Sequence, residues 1–170
     1  ASGGDVWLSQ TSSIGKVGTD WQSGGSAFST LVHELGHALG LKHPFDDTPR
    51  LPLATDTDQY SVMSYTSHPN AVFRDVLSNG VGGYLFELEY IEPQTPMLYD
   101  IAAIQYLYGA NTGYRTGNDT YTFDPTKPFF QTIWDAGGTD TISVFNFSTN
   151  CIIDLGAGRF SSIAIPSDAI

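Results

Sequence analysis

His33-Glu34-Leu35-Gly36-His37-Ala38-Leu39-Gly40-Leu41-Lys42-His43 is the stretch on which the reading of this chain turns. It lies in a segment, residues 26–39, where Phe28, Leu31, Val32, Leu35, Ala38 and Leu39 recur at helical spacing and give one apolar face. Ser23 and Ser26 are candidate N-caps, and Gly40 suits a left-handed exit from the helix. His33 and His37 are four residues apart, so they stand one turn apart on the same face and both imidazoles can reach one metal ion. Glu34 projects beside that metal rather than onto it, where it can act as general base toward water. His43, brought back after Gly40, is the expected third ligand. Three neutral imidazoles leave a fourth position open, which is the mark of a catalytic zinc site. A structural zinc would be closed by four ligands and has no use for Glu34.

Working outward, residues 44–96 are rich in Pro, Gly, Asp, Ser and Thr and show no sustained helical period; a long irregular connection is expected. His68, between Ser67 and Pro69, reads as a solvated loop histidine. A second helix should follow, with Thr95 as cap, Pro96 at its first position and Gly109 closing it. Ile101, Ile104, Gln105, Leu107 and Tyr108 mark its packing face, and Met97 and Tyr99 belong to the same core. After Gly109 the pattern turns to strands at 120–123, 131–134, 141–145 and 151–155, separated by Gly, Asp and Asn turns. Upstream, Asp5-Val6-Trp7-Leu8-Ser9 also reads as a strand. The class is therefore α+β, with a boundary in 110–118 that divides the chain into residues 1–113 and 114–170.

The chain has 170 residues, 41% of them hydrophobic, and no apolar run long enough to span a membrane. Its seven Lys and Arg against 18 Asp and Glu give a net charge of −11, which repels phosphate backbones and argues against a nucleic-acid partner. The same acidity suits a soluble surface or carboxylates placed for calcium. One cysteine, Cys151, rules out an internal disulfide and any Cys-based zinc cluster; in the run Cys151-Ile152-Ile153 it reads as a buried structural residue. With no initiating Met and no leader, residue 1 is not expected to be the start of a translation product.

The full run His33 to His43 fits H-E-x-x-H-x-x-G-x-x-H, the metzincin signature. Twenty residues past His43, Ser61-Val62-Met63-Ser64-Tyr65 resembles the metzincin Met-turn in the form found in serralysins, secreted bacterial zinc proteases. Pro44 directly after the third His and the run from Leu98 to Asn111 resemble serralysins too, as do Arg115-Thr116-Gly117 and the run from Trp134 to Thr141.

The resemblance implies a zincin-like catalytic subdomain followed by the beginning of a parallel β-roll. It implies that Met63 forms a packed floor under the histidines, and that Tyr65 contacts the resting zinc and then swings aside to help hold the oxyanion. It implies a calcium site formed by Arg115, Gly117, Asp135, Gly137, Gly138 and Asp140, with either Asp119 or Thr120 in the next ligand place, since Asn118-Asp119-Thr120 is one residue longer than the family's usual stretch. The implied activity is zinc-dependent hydrolysis of internal peptide bonds outside the cell. Its implied partners are protein or peptide substrates, a proteinaceous inhibitor and the remaining segments of the parent protease.

The family's upstream subdomain, with the edge strand that aligns a substrate, is expected to lie outside this sequence. So are its C-terminal secretion signal and any complete G-G-x-G-x-D-x-U-x repeat. One rival reading follows, a zinc- and calcium-binding piece that is catalytically incomplete. A β-roll adhesive repeat protein ranks below it, because no tandem nonapeptides are present.

Overall fold

A computed structural model of the chain describes residues 21–163 together with Val6. Apart from Val6, the expected strand at residues 5–9 lies outside the described residues. The elements in chain order are α1 (Ser26–Ala38), β1 (Val72–Ser78), β2 (Tyr84–Tyr90), α2 (Leu98–Tyr108), β3 (Thr120–Thr122), β4 (Thr141–Ser143), β5 (Cys151–Ile152) and β6 (Ser162–Ile163). The structure is thus a mixture of helix with a few short strands. Two compact units are present. The first combines Ala1–Ala71, Ile91–Ala110 and Phe129–Ile133, and the second combines Val72–Tyr90, Asn111–Pro128 and Trp134–Ile170.

In the first unit α1 begins at an extended Gly25, with no side chain capping it. Neither serine caps: Ser23 Oγ instead donates to Gln94 O at 2.7 Å. The exit is well defined. The N–H of Gly40 bonds to His37 O and that of Leu41 to Gly36 O, both at 2.9 Å. This is a Schellman motif, and it needs the positive φ of +92° that Gly40 adopts. The face that packs differs from the expected one. Leu35 and Leu39 are exposed, whereas Gly36 is buried and Val32, one turn earlier on the same side, packs on the core.

That core is Val62, Met63 and Met97, flanked by Val32, Leu41 and Phe130. Met63, 1% exposed, lies so close to α1 that a Cβ on Gly36 would overlap its sulfur.

The second helix starts later than expected, at Leu98, with Met97 as its N-cap. The reason is Asp100, a buried carboxylate at the third helical position that accepts from Met97 N at 2.8 Å and so fixes the start. Thr95 is used elsewhere: its Oγ1 accepts from Thr132 N at 2.9 Å. Gly109 closes the helix with φ +84°, as its position suggested. The expected strand at 131–134 does not form; only Phe130, just before it, makes an isolated parallel bridge, with Pro93. Pro93 has no N–H with which to extend a ladder. The other three expected strands form but are shorter, as their ranges above show.

The second unit holds a hairpin that the sequence reading placed inside an irregular connection. β1 and β2 pair antiparallel from Val72↔Tyr90 to Ser78↔Tyr84. Their loop is organised by Asn79, whose Oδ1 accepts from the N–H groups of Val81 and Gly83, while Gly80 and Gly82 take positive φ. β3 and β4 pair in parallel, and β5 and β6 antiparallel. Cys151 on β5 is half-buried rather than buried, its Sγ near Thr149 O. No helix among the described residues is long and apolar enough to cross a membrane.

The contact between Gly36 and Met63 yields a test. Gly36→Val forces side-chain atoms into the space of a fully packed methionine, and overpacking of that kind costs about 1–3 kcal/mol. Urea unfolding should show a midpoint lowered accordingly; an unchanged midpoint would mean that the helix and the Met63 turn are not in tight contact.

Candidate metal centre

The first unit brings His33, His37 and His43 together, their ligand-capable nitrogens all within 4.8 Å of one another. Two of the rings come from α1 and the third from the turn that the Schellman exit directs back along the helix. Their orientation is set from behind. His33 Nδ1 meets Val62 O at 2.8 Å, His37 Nδ1 meets Leu41 O at 2.9 Å, and His43 Nδ1 meets Asp46 Oδ2 at 2.7 Å. Carbonyl and ionised carboxylate oxygens only accept, so each Nδ1 must carry the proton. In a neutral ring this leaves a lone pair on Nε2.

His37 and His43 present those lone pairs to each other at 3.1 Å. Two bare acceptors at that distance repel unless a cation or a proton lies between them. Two ligands at 2.0–2.1 Å from a tetrahedral zinc stand roughly 3.3 Å apart, so the donor set fits that ion. Backing of metal-bound imidazoles by carbonyls and a carboxylate is the usual outer-shell arrangement.

Around this centre, Tyr65 is 69% exposed and its hydroxyl donates to His43 Nε2 at 2.9 Å. Its ring stacks on His33 with centroids 5.5 Å apart. Phe45 lies parallel to His43 at 5.0 Å and also meets the Tyr65 ring at 5.1 Å. Glu34 is half-buried on α1, and no hydrogen bond to another described residue engages its carboxylate. Met63 is buried against Gly36, one residue before His37.

Three contributors escaped the sequence reading. Asp46 had a usable signal, an acid three residues beyond a ligand histidine. Phe45 and Asp100 had none of comparable strength. Asp100 accepts from Ser61 Oγ at 2.6 Å and from Val62 N at 2.8 Å as well as from Met97 N. It thereby fixes the turn whose carbonyl orients His33. Burial pushes its carboxyl above the usual range, while the donors from Ser61, Val62 and Met97 pull the other way.

His68 is not exposed as expected. It is half-buried, its Nδ1 accepts from Asn70 N at 3.1 Å, and its ring meets Phe130 edge-on at 5.4 Å. It packs in the loop and stays outside the histidine cluster.

In the second unit Asp119, Asp135 and Asp140 converge, with carboxylate oxygens within 4.8 Å of one another. Asp140 Oδ1 accepts from Asp119 N at 2.8 Å, and Asp135 Oδ1 from Gly137 N at 3.0 Å. Asp135 also accepts from the Tyr121 hydroxyl, which together with that N–H holds its carboxyl below the usual range. Tyr121 is pushed up to about 12 by desolvation and by donation to Asp135. Gly138, at φ +127°, passes so close to Gly117 O that any Cβ would collide with it. Thr120 opens β3, directly after Asp119. Arg115 takes a positive φ of 49° and sends its guanidinium to Asp119 Oδ1 at 3.6 Å.

Comparison with known proteins points in one direction. Residues 99–165 match the family model described as Peptidase M10 serralysin C terminal. Over 94% of its length the chain is 35% identical to Serralysin of Proteus mirabilis, covering 34% of that protein. It is 36% identical to Metalloprotease AprA of Pseudomonas entomophila, over 94% of this chain and 35% of that one. A further relative, Serralysin C of Dickeya chrysanthemi, is 38% identical over 79% of this chain and 30% of its own length. The chain spans about a third of the length of these curated relatives.

The role of Asp46 can be isolated. Asp46→Ala removes the acceptor that sets His43 and should weaken zinc binding about 10–100-fold, as loss of such outer-shell partners does. Titration against a competing chelator measures this, with exposed Asp47→Ala as control. Equal affinities for the two variants would show that His43 needs no such support.

Proposed function

Because the chain belongs to the serralysin-type M10 protease family, we propose that it carries the catalytic centre of a secreted zinc endopeptidase, with His33, His37 and His43 as metal ligands. The observation that carries this reading is the convergence of three Nε2 lone pairs whose Nδ1 partners fix their tautomers. Bound zinc would supply Lewis-acid polarisation of the scissile carbonyl and of the attacking water. The remaining chemistry belongs to the chain. The Glu34 carboxylate takes the proton from the attacking water and passes it to the leaving nitrogen. Tyr65, already reaching to His43 Nε2, turns its hydroxyl toward the developing oxyanion. Met63 gives the histidines a dry, packed support. The fold assigned to this part is a zincin-like catalytic subdomain, 1–113, followed by the start of a β-roll, 114–170; the parallel pairing of β3 with β4 supports the second half.

The Asp119, Asp135 and Asp140 cluster, with the backbone oxygens of Arg115, Gly117, Gly137 and Gly138, is assigned to calcium. Oxygen donors and net negative charge suit a hard cation. Protein substrates and an extracellular location rest on the family.

Glu34→Ala should retain zinc by elemental analysis and lose casein digestion altogether, and Tyr65→Phe should lose about 100–1,000-fold. Wild-type digestion should vanish with a zinc chelator and return with zinc. Digestion by metal-replete Glu34→Ala would remove Glu34 from the reaction. A wild-type chain that binds zinc but digests nothing would instead identify the incomplete, metal-binding piece.

A further inference from the structure

A cavity of about 200 Å3 opens within the first unit, bounded by Ser29, Asp58, Val62, Ser64, Tyr65 and Glu92. None of the three histidines lines it, but two of its walls, Val62 and Tyr65, also touch them. Ser29 stands one turn before His33 on α1, Val62 supplies the carbonyl that orients His33, and Tyr65 reaches His43. A peptide bond lying across the three Nε2 atoms would therefore place a neighbouring side chain at this mouth. The volume suits one side chain rather than a larger ligand.

The lining decides which side chain. Ser29 offers a hydroxyl, that of Ser64 is already committed to Asp56 Oδ1 and Thr66 N, and Asp58 and Glu92 place two carboxylates in one small space. Asp58 is a fixed part of the wall: its Oδ1 accepts from His68 N at 2.8 Å and its N–H donates to Thr66 O at 2.9 Å. Burial pushes its carboxyl above the usual range and the nearby Glu92 charge adds to that push, while the N–H and ring of His68 and the Gln59 N–H pull the other way. Among the described residues, neither carboxylate is ion-paired with a Lys or Arg. Two like charges in a partly enclosed space are left to be relieved by an incoming cation, and attraction there is stronger than in open water.

We propose that this cavity receives a lysine or arginine side chain of the peptide substrate, next to the bond to be cut, and that Asp58 and Glu92 are the specificity-determining residues. The inference rests on the protease reading above, and it predicts a substrate class that the histidine centre by itself does not select. An apolar side chain would have to desolvate both carboxylates without compensation and is disfavoured.

Two measurements on the full zinc-loaded chain keep the inference separable from that reading. The first compares cleavage of peptide pairs that differ only in lysine against norleucine, which has the same four-carbon stem without the ammonium. The second measures binding of the same pairs to zinc-loaded Glu34→Ala, so that it needs no turnover. Lysine should be favoured about tenfold in both, less at high salt, and the preference should collapse in Asp58→Asn/Glu92→Gln. Glu92→Gln alone, which breaks no hydrogen bond among the described residues, should give part of that loss if the double variant folds poorly. Cleavage without a lysine preference would overturn the inference and leave the protease reading standing. A binding preference without cleavage would do the reverse. Equal affinities for the two peptides, or a preference that survives both variants, would contradict the inference outright.

Discussion

Everything in the first unit depends on where three imidazole protons are held. Val62 O, Leu41 O and the Asp46 carboxylate each accept from an Nδ1, and each bond leaves the opposite nitrogen as a donor of electrons toward one point. The cost of such an arrangement is clear: lone pairs on His37 and His43 face each other at 3.1 Å. A bound dication would convert that repulsion into attraction. Metal and fold are coupled in this way, because a site assembled only in the folded chain adds its binding energy to folding.

The supports of those acceptors come from distant parts of the sequence. Leu41 O is placed by the Schellman exit at Gly40, so the helix terminus and the His37 tautomer are one feature. Val62 O is placed by the turn at Ser61–Met63, which Asp100 grips from α2 through two bonds, one to a hydroxyl and one to a backbone N–H. Below, Met63 fits α1 because residue 36 has no side chain. A buried carboxylate with three donors is a demanding element: remove it and three polar groups lose their partner, at about 1–3 kcal/mol for each group left buried and unsatisfied. The aromatic rings of Tyr65 and Phe45, 5.1 Å apart, pack together against the histidines.

Much of the centre was legible in the sequence because its chemistry is local. His33 and His37 lie on one continuous helix, where a period of 3.6 residues fixes their relative places, and the exit glycine with His43 three residues beyond it follows at once. What could not be read was non-local. Asp100 lies 38 residues from Val62, and nothing in the pattern of α2 marks it as more than a helix-start acid. The apolar face of α1 differs from the expected one because glycine carries no hydrophobic signal, yet Gly36 packs so closely on Met63 that a Cβ would overlap its sulfur. The hairpin at 72–90 was overlooked although Tyr84, Phe86, Leu88 and Tyr90 alternate with other residues at strand spacing. The Gly-rich loop around Asn79 and apolar residues on both faces masked that alternation. Conversely, residues 131–134 have strand-forming side chains, but the segment they approach contains Pro93 and cannot sustain a ladder.

The most direct test is the coordination shell itself, read by X-ray absorption at the zinc edge on the purified chain loaded with one equivalent of zinc. Three imidazole nitrogens at about 2.0–2.1 Å with one or two oxygens are expected. A shell of oxygens alone, or fewer than three imidazoles, would show that the Nε2 atoms do not share a single ion.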